Sequence, residues 1–319
     1  MCSKATSSTI PDARGITLVE LVVVLGVLGI IAAAAAIALR DPLRGYVDST
    51  RRAQLTDIAD TALRRVARDI RLALPNSVRV TTVGSTAYVE LLLTKTGGRY
   101  RAQVTNTGAG DVLDFAAAQP SADNQFDTLG PMSALAGQDI AANDILVVHN
   151  LFSAPTVATA NAYTYNQAAK SCTSATQTSS TCNTARVTGT GAGALAGETR
   201  INFDRRQFPL SSPGNRFHVV SGPVTYVCNT NGGALDANGN GTGTLTRVSG
   251  YTINLTQPTG AFPGAPVTSL LAQNVTDCQI TYDPLVLTQS LGLVSMRLEL
   301  TRGNEKVRLY HEIHVSNLP

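Results

Sequence analysis

The sequence predicts an α+β protein: one long N-terminal helix followed by a large β-rich head. Three observations carry this. Residues 21–39 form an uncharged apolar run of 19 residues. Beyond it, apolar residues recur at helical spacing as far as Leu74. From Ser77 onward the hydrophobic period falls to two, that of strands half buried in a sheet. The chain divides accordingly into a short leader (1–15), an apolar half-helix (16–39), an amphipathic half-helix (40–75) and the head (76–319).

Extended back to Ile16, the apolar run holds 24 residues and one charge, Glu20. As a helix it is about 36 Å long, enough for a hydrocarbon core of roughly 30 Å. A secretory signal peptide has a shorter run, followed by a small-residue cleavage site. Here the small residue, Gly15, comes first, and Cys2 also precedes the run, unlike a lipoprotein cysteine. A carboxylate in such a span costs about 2.5 kcal/mol or more and needs a partner. No Lys or Arg lies between residues 15 and 39. Cleavage after Gly15 would free the Ile16 α-amine, four residues from Glu20 or supplied by a neighbouring subunit. The alternative is a plain signal anchor with Glu20 at headgroup level. Charge counting opposes export: Lys4 and Arg14 precede the span, whereas Arg40, Arg44, Arg51 and Arg52 follow it.

Pro42 and Gly45 are expected to kink or loosen the helix. Leu55, Ile58, Ala59, Ala62, Leu63, Val66, Ala67, Ile70 and Leu74 then make one apolar face. Arg51, Arg52, Arg64, Arg65, Arg68 and Arg71 fall mainly off it, as a solvated face. Asp60 and Arg64 form an i,i+4 pair in the favourable order. Pro75-Asn76 ends the helix.

In the head, strands are expected at Ser77–Val83, Tyr88–Thr94, Tyr100–Val104, Ile145–Leu151, Phe217–Val220, Val224–Val227, Leu245–Ile253 and Gln279–Tyr282. The clearest unit is a hairpin, Leu293–Thr301 and Lys306–Val315, around Arg302-Gly303-Asn304-Glu305. Met296, Leu298 and Leu300 alternate there with Arg297, Glu299 and Thr301, so one face is buried. Residues 153–199 and 229–243 read as long polar connections. With Cys2 removed, the even set Cys172, Cys182, Cys228 and Cys278 suggests two disulfides in an exported head. Three pairings are possible; Cys172–Cys182 and Cys228–Cys278 are favoured, the first closing a short loop and the second tying two strand regions.

A net charge of +3 gives no bulk reason to bind nucleic acid. His311-Glu312-Ile313-His314 lacks one residue of the H-E-x-x-H zinc motif and lies in an expected strand. Asp236-Ala237-Asn238-Gly239-Asn240-Gly241 matches the first half of a calcium loop, but position twelve is Arg247 where a bidentate Glu is needed; an Asn/Gly-rich hairpin loop is the simpler reading. No nucleophile elbow, Walker loop or dinucleotide fingerprint occurs. The expectation is therefore no enzyme, no cofactor and no metal, with Glu20 as the one charged side chain given a functional role.

The segment Arg14-Gly15-Ile16-Thr17-Leu18-Val19-Glu20-Leu21 resembles the class III signal of type IV pilins and pseudopilins, with Ile16 where Phe is usual. The resemblance implies a type IV pilin-like fold, cleavage between Gly15 and Ile16 by prepilin peptidase, N-methylation of Ile16, and docking through Glu20. Ala62–Arg71 is similar to the corresponding helix of J-type pseudopilins. Phe208–Phe217, Val224–Cys228, Cys278–Asp283 and His311–Asn317 resemble the MshO family of mannose-sensitive haemagglutinin (MSHA) pilus biogenesis proteins. That resemblance implies a minor pilin held in the inner membrane by residues 16–39 with a periplasmic head. It would later join a surface filament with other minor and major pilins through an inner-membrane assembly platform, driven by a separate ATPase. The rival readings are a J-type minor pseudopilin of type II secretion, a tip adhesin contacting glycan through residues 153–199, and a membrane-anchored enzyme with a convergent site in the head.

Overall fold

A computed structural model describes residues 15, 17–116, 122–157, 159–169, 171–172, 182–284 and 291–318, the side chains of 39–44 and 171 aside. The leader expected over 1–15 thus lies, apart from Gly15, outside the described residues, as does Ile16.

The chain forms two compact units, Met1–Arg51 and Arg52–Pro319. Helix α1, Leu18–Arg71, contributes to both. In the first, Leu18–Ala38 is a 21-residue stretch of mean hydropathy 2.9, long and apolar enough to cross a membrane, with none of it buried. Helical assignment continues through Pro42 and Gly45, so the loosening expected there does not end the helix. In the second unit Leu55, Ala59, Ala62, Leu63, Val66, Ala67 and Ile70 are buried, as the spacing predicts. Ile58 departs from the pattern and is 38% exposed. It lines a groove of about 530 Å³ beside Leu270 instead of entering the core. α1 ends at Arg71, a few residues before Pro75-Asn76. Asn76 takes the left-handed conformation, φ 59°, which Asn tolerates better than most residues. Its Nδ2 donates to the Asn150 carbonyl at 2.9 Å and the Asn317 carbonyl at 3.2 Å, tying the helix exit to the C-terminal strand.

Thirteen strands follow among the described residues: β1 (Arg79–Val83), β2 (Thr86–Arg99), β3 (Gln125–Asp127), β4 (Ile145–Val148), β5 (Tyr165–Asn166), β6 (Ser171–Cys172), β7 (Thr184–Ala192), β8 (Thr199–Phe203), β9 (Arg216–Asn229), β10 (Gly243–Tyr251), β11 (Gly264–Asp283), β12 (Leu291–Arg302) and β13 (Glu305–Ser316). All but β5 and β6 join one sheet of eleven strands, and every pairing in it is antiparallel. The sheet forks at β9. Along one edge β9 pairs with β2 throughout. Along the other, Phe217–Val220 pair with β4 and Val224–Asn229 with β10. The fork falls at Ser221-Gly222-Pro223, where Gly222 has φ 128° and Ser221 is bulged out of the β2 register. Pro223, which has no amide hydrogen, sits in the gap between the two partners, where a missing donor is tolerated.

Each branch has its own core. The first packs the α1 stripe against β1, β2 and β9–β13, including Val89, Leu91, Tyr226, Leu245, Val275, Met296, Leu298 and Ile313. The second, around β3, β4, β7 and β8, is aromatic. Phe126, Phe203, Phe208 and Phe217 meet there with ring centroids 5.2–5.9 Å apart, and Tyr100 and Phe115 close the cluster. A smaller core between them holds Leu74, Leu92, Ile145, Tyr163, Tyr165 and Val220.

Several expectations are corrected. Tyr100–Val104 is not a strand: Tyr100 makes a single bridge to Thr128 and its ring enters the aromatic core. Phe217–Val220 and Val224–Val227 are one strand. Residues 153–199 are not simply a polar connection. They supply β5, β6, all of β7 and a buried turn, Ala160–Tyr165. Glu299 and Thr301 are buried on the face expected to be open, because the 229–242 loop folds back over it, with Gly241 N donating to Thr301 O. Arg308 at 2.6 Å and Thr276 at 3.1 Å then satisfy the Glu299 carboxylate.

Other buried carboxylates also join elements, Asp69 and Glu90 among them. On α1, Asp69 accepts from Tyr226 Oη and Arg247 Nε, each at 2.8 Å, fixing the helix to β9 and β10. On β2, Glu90 accepts from Arg79 Nε at 2.7 Å and Tyr251 Oη at 2.8 Å. Arg79 also donates to the Asn254 and Leu255 carbonyls and lies 3.7 Å from the Tyr163 ring centroid. Burial pushes the Glu90 pKa up, against the pull of Arg79.

Burial also raises the pKa of Tyr163, Tyr226 and Tyr251, aided by Glu90 for Tyr163 and Tyr251 and by Asp69 for Tyr226. A phenol raised in the fold stays neutral there but ionises at its ordinary value, about 10, once unfolded. Its stabilising contribution is complete below that pH and is lost as pH rises above it. These three phenols should therefore ionise only together with loss of the fold in an alkaline titration followed at 295 nm, and ionisation of all tyrosines with far-ultraviolet dichroism intact would contradict this packing. Cys172–Cys182 and Cys228–Cys278 are disulfides separated by 10 and 50 residues. Loop-closure entropy predicts losses of about 3 and about 4 kcal/mol when each is replaced by a serine pair. Urea midpoints should rank the second variant as the less stable; the reverse order would contradict an entropic origin.

Candidate functional site

The segment singled out by the sequence lies at the start of α1. Gly15 is exposed, precedes the helix, and has open space around it. Thr17 caps the helix: its Oγ1 accepts from the Glu20 amide at 3.3 Å and its carbonyl from the Leu21 amide at 3.1 Å. This capping role of Thr17 is not among the expectations above. The spacing Thr17-x-x-Glu20 is that of a capping box, and this is the signal that identifies it. Glu20 sits exposed in the first turn, where the helix dipole favours a negative charge. The pairing of Glu20 with an Ile16 amine lies outside the described residues.

Around Glu20 the helix offers only apolar side chains. Leu18, Val19, Leu21, Val22 and Val23 are 51–78% exposed, and the exposure continues to Ile37. An apolar surface this long on one helix requires lipid or other apolar helices around it. The N-terminal unit can therefore do two things: insert into a membrane, and present one carboxylate within an apolar surface to a matching cation.

The head brings the four cysteines together in the two favoured pairs. Cys228 and Cys278 lie in the core beneath α1, and Cys182 is buried beside β7. His311 and His314 stand on β13 three residues apart, which turns them to opposite sides of the strand. In the Asp236–Gly241 loop the carboxylate is already engaged: Oδ1 accepts from the Asn238 and Asn240 amides at 2.8 Å, and Oδ2 from Asn240 Nδ2 at 2.9 Å. Asn240 Oδ1 in turn accepts from Gly303 N at 2.9 Å, so the loop is clasped to the β12–β13 turn. Among the described residues no group of three His, Cys, Asp or Glu side chains is placed to hold a metal ion. The groove beside Ile58 is lined by Asn240, Leu270–Asn274 and Arg302, and carries no acid–base pair.

No curated protein and no solved structure matches the chain. Residues 11–36 match the family described as the prokaryotic N-terminal methylation motif. The match covers Gly15, Ile16, Thr17 and Glu20 and runs into the uncovered apolar helix. The chain thus carries the N-terminal signal of a type IV pilin-like or pseudopilin precursor.

Proposed function

We propose that the protein is a minor pilin with a type IV pilin-like fold, matured by prepilin peptidase and incorporated into an MSHA-type pilus. One observation carries the reading: the methylation motif at residues 11–36 opens a helix that is apolar and uncovered over Leu18–Ala38 and becomes the core of the head from Leu55 onward. Cleavage after Gly15 leaves Ile16 as an N-methylated terminus. Glu20 then neutralises the Ile16 amine of a neighbour, which removes the cost of a lone carboxylate among apolar helices. The subunit waits in the inner membrane through residues 16–39, with the head in the periplasm, where its disulfides form. It passes from there to the filament through the assembly platform, alongside other minor and major pilins. In this reading it is not an enzyme, needs no cofactor and binds no nucleic acid.

The MshO-like assignment rests on the resemblance of Phe208–Phe217, Val224–Cys228, Cys278–Asp283 and His311–Asn317. Val224–Cys228 and Cys278–Asp283 lie in β9 and β11, are linked by Cys228–Cys278 and belong to the first core, whereas Phe208 and Phe217 lie in the aromatic core. A J-type minor pseudopilin is the second reading, favoured by the likeness of Ala62–Arg71. Deletion separates them: loss of surface pili supports the first, and loss of protein secretion with pili intact supports the second.

The test of assembly is fractionation of cells expressing the chain with its peptidase. Wild-type protein is expected in the sheared surface fraction. Glu20→Ala should be cleaved equally well yet stay in the inner membrane; recovery of this variant in filaments at the wild-type level would refute the role given to Glu20.

A further inference from the structure

Strands β2 and β9 meet at one end in two directly opposed arginines. Arg99 is the last residue of β2, Arg216 the first of β9, and they are register partners. Both are exposed. Like charges so placed destabilise a sheet. The two side chains also converge on one residue. Arg99 Nε donates to the Gly214 carbonyl at 3.0 Å, and Arg216 folds over Gly214 with its Nε 3.2 Å from where a β-carbon would stand. Among the described residues no carboxylate lies within 4 Å of either. Seven arginines of the head, Arg79, Arg101, Arg186, Arg200, Arg247, Arg297 and Arg308, each meet an acid. Arg302 instead donates to Gln54, and buried Arg206 has an Nε without a partner among the described residues. Arg99 and Arg216 differ from these two in standing directly opposite each other. An opposed pair left without one is a site short of an anion.

We propose that Arg99 and Arg216 form a clamp for a single carboxylate, presented by an acidic side chain of a neighbouring subunit. Paired guanidinium forks match the planar, two-oxygen geometry of a carboxylate. A polyanion would need a track of cations, and among the described residues the nearest cations along the chain from Arg99 are already paired, Arg101 with Glu198. Lys95, on the same strand as Arg99, is already held by Asp144 at 2.9 Å. His218, two residues from Arg216, is kept neutral by burial and by Arg216 itself, its pKa lowered to about 4. The turn that sets the clamp, Ser211-Ser212-Pro213-Gly214-Asn215, is fixed from below: Tyr100 Oη accepts from Ser212 N at 3.0 Å, and Tyr100 N donates to Asn215 O at 2.8 Å. That the carrier is a pilin-like neighbour rests on the function proposed above; the clamp itself does not.

The experiment uses the full chain in detergent micelles with ¹⁵N-labelled arginine. Sodium acetate is titrated against sodium chloride at matched ionic strength, and the Nε–H signals of Arg99 and Arg216 are followed. Both should shift together and saturate with acetate. Arg216→Gln should abolish the Arg99 response and Arg99→Gln the Arg216 response, and each variant should melt no lower than wild type in chloride because a repulsion is removed. Arg216→Lys keeps the charge and should weaken the acetate response without changing the melting temperature. Equal shifts in acetate and chloride, or an Arg99 response that survives without Arg216, would overturn the clamp. A stronger, saturable response to phosphate than to acetate would overturn the carboxylate assignment. None of these readouts depends on prepilin processing or on Glu20.

Discussion

Burial of one helical stripe governs the arrangement of the head. Leu55, Leu63, Val66 and Ile70 are covered almost completely, and strands β9–β13 supply the cover. Burying one such side chain is worth about 1.5–3 kcal/mol, so the stripe from Leu55 to Ala73 outweighs any single hydrogen bond in the molecule. Asp69 adds direction to this non-directional attraction. Its bonds to Tyr226 and Arg247 exist in only one register of helix on sheet. The same arithmetic applied to Leu18–Ala38 gives the opposite outcome. Those side chains have no cover, and leaving them in water forfeits an equal gain per residue, so that half of α1 is bound to a membrane or to the helices of other subunits.

What could be read from the sequence was local. Gly15, Thr17, Glu20 and the apolar run are contiguous, so their chemistry is visible without a fold. The β12–β13 hairpin was equally plain, since Gly303 and Asn304 take φ 57° and 65°, the left-handed values their residue types allow. The two favoured cysteine pairings are those found. The first core was legible through the 3.6-residue spacing of the α1 stripe, with Ile58 the exception.

The rest depended on long-range contacts. Ser221-Gly222-Pro223 reads as a break between two strands, and it is a break only on one edge: β2 runs past it while β4 gives way to β10. Nothing local announces a fork. The aromatic core was hidden for a similar reason. Phe115, Phe126, Phe203, Phe208 and Phe217 are scattered over more than a hundred positions, and β7 is too rich in Thr and Gly to show a period. Arg99 and Arg216 are likewise unremarkable as letters and acquire meaning only as register partners.

In the proposed function α1 is delivered to the membrane as a prepilin and released by cleavage after Gly15. Intact-mass measurement of the chain made with and without prepilin peptidase, beside Gly15→Ala, tests it most directly. A prepilin should lose residues 1–15 and gain one methyl group, only with the peptidase and only when Gly15 is present. A chain of unchanged mass under every condition would contradict it and leave a plain signal-anchored protein.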